Sequence, residues 1–193
     1  MSDSPTQSFT ATLALFRDIT LLRRGPEALP VSWTWLVATV VALPVVGLLI
    51  GSILPDVPPI PGVDDHDVGL TAIELVVPLL WGWGVLQIVG RSERFLQMMT
   101  AIFGCQLVLQ PVIMPAYWAM RYFPKESNWL FLGEAAYVGL SVWSTVVVAR
   151  ILRSATDWPM FFCVVLVIAQ GLATYLMQFA IFPDMAEALK QAS

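Results

Sequence analysis

Two glutamates interrupt long apolar sequence, and they are the residues best placed to do chemistry. Glu74 and Glu134 are the only charged side chains within five hydrophobic stretches. An ionisable group in lipid is expensive to keep, so it is by default a functional hypothesis. Each lies five or six residues from what reads as the outer end of its stretch, about 8–9 Å deep at 1.5 Å per residue. A shared depth allows the two carboxyls to form one layer that takes up a proton or a cation.

Polar companions recur at helical spacing. Glu134, Tyr137, Ser141 and Ser144 follow intervals of three and four. Gln170, Thr174 and Gln178 follow i, i+4, i+8, and Gln106 and Gln110 are four apart. Lipid offers these groups no hydrogen-bond partner, so the stripes are expected to face one another. Two readings follow. In one, Glu74, Glu134, Tyr137, Gln106, Gln110, Gln170, Thr174 and Gln178 line an intramembrane polar site for a proton or cation. In the other they join helices by hydrogen bonds, each contributing about 0.6–2 kcal/mol in a membrane.

The run Asp64-Asp65-His66-Asp67 offers carboxylates and an imidazole of the kind that ligate divalent cations. Adjacent residues seldom converge on one ion, and Asp67 more simply caps the helix that follows. No metal site is expected. There is one His and no HExxH, GxSxG or Gly-rich phosphate loop, which argues against an enzyme and against a cofactor. Cys105 and Cys163 lie inside apolar stretches, apart from any CxxC pair, and read as small apolar residues. No basic patch argues for nucleic acid.

The elements that must position these residues are helices crossing a bilayer. Hydrophobic residues make up 58% of the chain and charged residues 12%, about half the charge of a soluble domain; mean hydropathy is +0.74. A hydrocarbon core about 30 Å thick needs about 20 helical residues per crossing. The candidate spans are 32–54, 68–90, 96–120, 129–149 and 159–182. Runs such as Val40–Ile50 and Phe161–Ala169 are apolar all round and do not alternate as barrel strands do. In lipid they satisfy their backbone only as helices. The fold class is therefore all-α, a five-span membrane bundle with a short outer tail at 183–193.

Residues 1–31 lack a signal-peptide pattern. Within them, 8–24 reads as an amphipathic helix with Phe9, Leu13, Leu15, Phe16, Ile19 and Leu22 on one side. Thr10, Arg17, Asp18 and Arg24 lie opposite; Thr12 and Arg23 break the pattern, and Gly25-Pro26 reads as its stop. Such a helix lies in the cytoplasmic interface with its arginines toward anionic headgroups, or packs on the ends of the spans. Pro44, Pro78, Pro111 and Pro115 fall inside spans and favour bends. The stretch Pro55–Pro61 reads as a stiff connector. Gly82 and Gly84 are expected to let helices approach closely.

With the N-terminus inside, inner segments hold Arg17, Arg23, Arg24, Arg91, Arg94, Arg150 and Arg153, against Arg121, Lys125 and Lys190 outside. Seven to three favours N-in and C-out. Trp33, Trp35, Trp118, Trp129 and Trp158 sit at span ends, where indoles prefer the headgroup level; Trp81, Trp83 and Trp143 are expected between helices.

The segment Phe16-Arg-Asp-Ile-Thr-Leu-Leu-Arg-Arg-Gly-Pro26, followed by the first of five closely spaced spans, resembles the lead-in of the bacterial branch of Yip1-type membrane proteins. The resemblance is one of architecture and implies a bacterial inner-membrane protein. The Asp-Leu-Tyr-Gly-Pro motif of the eukaryotic members is missing, so no trafficking role and no site residue is carried over. The expected function is a non-enzymatic scaffold, accessory subunit or membrane-organising protein. Its partners would be the lipid bilayer and other membrane subunits or further copies of the chain. The alternative is a small transporter or channel component using Glu74 and Glu134.

Overall fold

Each apolar stretch satisfies its backbone as one helix in a computed structural model, which describes residues 5–56, 67–124 and 127–183. The order is α1 (Pro5–Thr20), α2 (Trp33–Ile53), α3 (Asp67–Val89), α4 (Phe95–Tyr122), α5 (Asn128–Thr156) and α6 (Met160–Ile181), with short 3-10 turns at Pro26–Ala28 and Ser92–Arg94. Helices α2 to α6 are long and apolar enough to cross a membrane, and no strand occurs among the described residues. The chain is a multi-pass helical membrane protein.

The helix ends lie within two residues of the bounds expected for the apolar stretches except at the end of α5. Helix α4 runs on to Tyr122, and α5 runs seven residues past 149, through Arg150 and Arg153, to Thr156. All four internal prolines sit inside continuing helices. The connector Pro55–Pro61 beyond Asp56, the Asp64-Asp65-His66 run, the capping role of Asp67 and the tail from 184 lie outside the described residues and side chains.

Helix α4 is the hub. It packs against α5 and α2, then α1, and touches α3; α6 packs on α5 and α3. Small residues permit the tight contacts. Gly133 of α5 lies against Ala116 and Ala119 of α4, and a side chain at Gly82 would meet Met98 and Met99. Gly84 has open space around it, so it serves no close approach. Trp81 is half-buried, but Trp83 is exposed and faces out of the bundle.

The buried core is concentrated at one end. Leu36, Leu86, Met98, Met99, Val147, Ile151, Leu152 and Cys163 are all buried there, close to the start of α2, end of α3, start of α4, end of α5 and start of α6. The same end holds Arg91, Arg94, Arg150 and Arg153. Toward the other end the helices bury less and leave cavities between them.

Helix α1 docks on the bundle. Its buried stripe is Thr12, Phe16, Ile19 and Thr20, spaced i, i+4, i+7, i+8. Thr12 thus belongs to the packed face, while Leu13 and Leu21 are exposed. The Phe16 ring lies against Gly104, about 15 Å along α4 from Arg94. The Trp143 indole N–H donates to the Thr20 carbonyl at 3.2 Å. The helix ends at Thr20 rather than at Gly25-Pro26. Leu22 takes a left-handed φ of 59°, and the N–H groups of Leu22 and Arg23 bond back to Ile19 and Asp18. A branched side chain in that conformation costs about 1–2 kcal/mol. Gly90 closes α3 with the same paired bonds at no such cost.

Candidate functional site: the polar cavities around Glu74

Helices α3, α4, α5 and α6 contact one another in sequence around a ring, and their facing side chains cannot fill its middle. The resulting cavity, of about 500 Å³, is lined by Glu74, Gln106, Ser144, Thr145, Gln170, Thr174 and Gln178, with Leu43, Pro78 and Val148 among its apolar walls. Here the structure brings together six of the polar residues singled out from the sequence: Glu74, Gln106, Ser144, Gln170, Thr174 and Gln178. Gln178 donates to the Glu74 carboxylate at 3.4 Å, and Gln106 donates to the Ser144 hydroxyl at 3.3 Å. Thr174 instead turns its hydroxyl back to the Gln170 carbonyl at 3.0 Å.

These groups form a ladder. Gln106, Ser144 and Gln170 stand about 16–18 Å from the arginine-bearing ends of their helices, Thr174 and Glu74 about 22 Å, and Gln178 about 28 Å. Beyond Gln170, toward the arginines, the space shrinks to a void of about 20 Å³ among Trp81, Met98, Met99, Leu152 and Leu166. The polar path therefore ends near mid-bundle on a closely packed apolar seal.

Glu74 also borders a second cavity of about 670 Å³, between α2, α3 and α4. It exists because α2 packs on α4 and scarcely on α3, its neighbour in the chain. Thr71, Ser52 and Gln110 line it. The Gln110 side-chain oxygen is buried with no hydrogen-bond partner among the described residues, which leaves an acceptor waiting for a donor. A side chain at Gly47 would meet the Gln110 amide at 2.8 Å, so the missing Cβ makes room for it. Gln106 and Gln110, four apart, thus serve different cavities, and Glu74 stands between them.

Glu134 and Tyr137 do not join this site. Glu134 is exposed on α5, outside both cavities, and has no hydrogen-bond or ion-pair partner among the described residues. Tyr137 packs its ring 5.9 Å from that of Tyr117. The expected pairing of the two glutamates is therefore replaced by one glutamate among amides and hydroxyls.

One contributor escaped the sequence reading although its signal was there. Pro78 follows Glu74 by four residues and brings no N–H to the Glu74 carbonyl. Residue 74 thus offers two acceptors, a carboxylate and a main-chain oxygen released from the helix ladder. No protein-family model, curated protein or solved structure matches the chain.

Proposed function

We propose that this multi-pass membrane protein binds a proton or small monovalent cation beside Glu74, in the half of the bundle away from Arg91, Arg94, Arg150 and Arg153. The supporting observation is that one carboxylate borders two cavities whose other polar side chains are amides and hydroxyls. Oxygen donors of this kind suit hard cations. A single formal charge fits a single positive charge, since any imbalance left in a low-dielectric site costs several kcal/mol. The apolar seal makes this a binding site or one stage of a carrier rather than an open pore.

The test is cation or proton uptake into vesicles holding the purified protein. Glu74→Gln keeps hydrogen bonding but removes the charge, and is expected to abolish uptake while the protein stays folded. Glu134→Gln is expected to leave uptake intact. Wild-type uptake by folded Glu74→Gln would return these residues to a purely structural role.

A second reading, that of an accessory subunit, has its own observation. Glu134 projects from the outer surface of α5, beside exposed Phe131, Leu132 and Val138. Carboxyls facing lipid are rare and usually meet a partner, here another membrane subunit or a further copy of the chain. Native mass spectrometry in mild detergent tests it: a stoichiometric partner lost on Glu134→Ala supports it, and a solitary monomer counts against it. We place the arginine-rich end in the cytoplasm of a bacterial inner membrane, which predicts an active periplasmic reporter after Ser193.

A further inference from the structure

At the arginine-rich end, a cleft of about 690 Å³ opens between the last turns of α5, the start of α6 and the segment following α1. Arg24, Arg150 and Arg153 line it with Glu27 and Asp157, and Ile19, Leu22, Val147, Ile151 and Met160 give it apolar walls. The acids are engaged. Asp157 pairs with Arg91 and Arg94, and Glu27 accepts a hydrogen bond from the Ser154 hydroxyl at 3.1 Å. Arg24, itself exposed, is 3.8 Å from the half-buried Asp18 carboxylate, a contact beyond hydrogen-bond length that holds its guanidinium only weakly.

Arg150 and Arg153 have neither an ion pair nor a side-chain hydrogen bond among the described residues. They are three apart on one helix, where like charges repel, so the cleft holds two forks side by side that no described acceptor engages. Arg150 directly follows the apolar stretch 129–149, which sets it at headgroup level if α5 spans the bilayer. Leu22, in its left-handed conformation, turns the chain so that Arg24 closes the third side.

We infer that this cleft binds the phosphate of an anionic phospholipid headgroup. Guanidinium forks match phosphate oxygens bidentately, the apolar walls accept the adjoining glycerol and chain, and the volume suits a ligand much larger than a bare phosphate. The site lies at the opposite end of the bundle from Glu74 and stands independently of the cation reading.

The experiment uses the full chain in nanodiscs of phosphatidylcholine, with and without phosphatidylglycerol. Native mass spectra read the lipid retained after release, and thermal scans read the midpoint. Phosphatidylglycerol is expected to be retained and to raise the midpoint. The Arg150→Gln, Arg153→Gln double variant is expected to retain about thirtyfold less, from about fivefold per basic residue near an anionic surface. Arg121→Gln, at the other end of the bundle, is expected to change nothing. Lysine at both positions keeps the charge without the fork, and is expected to fall between; it also serves if the glutamine variant fails to fold. Equal retention by wild type and the charge-removed variant, or equal retention of phosphatidylcholine, overturns the inference. A midpoint raised by inorganic phosphate alone, with no lipid retained, assigns the cleft to a soluble phosphate ester and overturns the lipid assignment.

Discussion

The Gln178 amide reaches the Glu74 carboxylate across 3.4 Å and so links α6 to α3 at the wall of the cavity enclosed by α3, α4, α5 and α6. A bond this long is weak, and it holds the carboxylate without neutralising it. Gln178→Ala is expected to cost about 0.6 kcal/mol of stability, the average for such bonds in membranes. The loss should disappear when the same change is made in a Glu74→Ala background. A double-mutant cycle on reversible unfolding checks it; equal losses in both backgrounds would show that the two side chains are uncoupled.

Gly104 is where α1 meets α4. A Cβ there would lie 2.3–2.6 Å from three atoms of the Phe16 ring, and Phe16 is only 1% exposed, so the ring has nowhere to retreat. Gly104→Ala is expected to destabilise by about 1–3 kcal/mol, the usual cost of overpacking. It should also raise the rate of tryptic cleavage at Arg17, and Phe16→Leu in the same chain should recover part of both effects. Unchanged cleavage would mean that α1 is not docked as described.

Acid should loosen the arginine-rich end. The hydrogen bond from Arg91, helped by the charges of Arg91 and Arg94, holds the Asp157 carboxyl below its ordinary range against a smaller opposing effect of burial. A carboxyl so depressed contributes stability above its unfolded pKa and loses it as pH falls through the lowered folded value. Asp157→Asn tolerates the same left-handed φ of 59°. The variant should be less stable than wild type by a constant amount above about pH 5, with the gap closing in acid. Denaturation midpoints against pH measure it. The group is exposed, so the gap will be small, and a gap that widens in acid would contradict the pairing.

Both thiols are sealed. Cys105 is 1% exposed and Cys163 fully buried. A membrane-permeant maleimide is expected to label neither in the folded protein and both after denaturation in dodecyl sulfate, read by intact mass. Rapid labelling of Cys105 before denaturation would place α1 away from α4, since the Cys105 thiol lies 3.8 Å from the Phe16 carbonyl.

The spans were legible because lipid allows only one way to satisfy an apolar backbone. The extension of α5 was not, since Arg150 and Arg153 end the apolar run without ending the helix. Gathering Gln106, Gln170, Thr174 and Gln178 around Glu74 follows from the same rule, because these groups have only one another. Glu134 shows its limit. Depth can be counted along a sequence, but the direction a helix faces is set by packing. Gly133 is pressed against α4, which turns the next residue about 100° away from it. Thr12 was misread because a small β-branched side chain packs on the bundle although its hydroxyl counts as polar. The end of α1 was hidden because Leu is among the last residues expected at a left-handed position.

The docking of α1 also fixes an order of events in the cell. Phe16 and Cys105 are 89 positions apart in the chain, and Thr20 and Trp143 are 123 apart. Helix α1 leaves the ribosome well before α4 and α5, and it finds its seat only after they have been made. Until then its buried stripe must wait uncovered or on a chaperone. Closure of α1 onto α4 and α5 thus reports that these two helices are in place, and a chain truncated before Trp143 would leave that signal open to quality control.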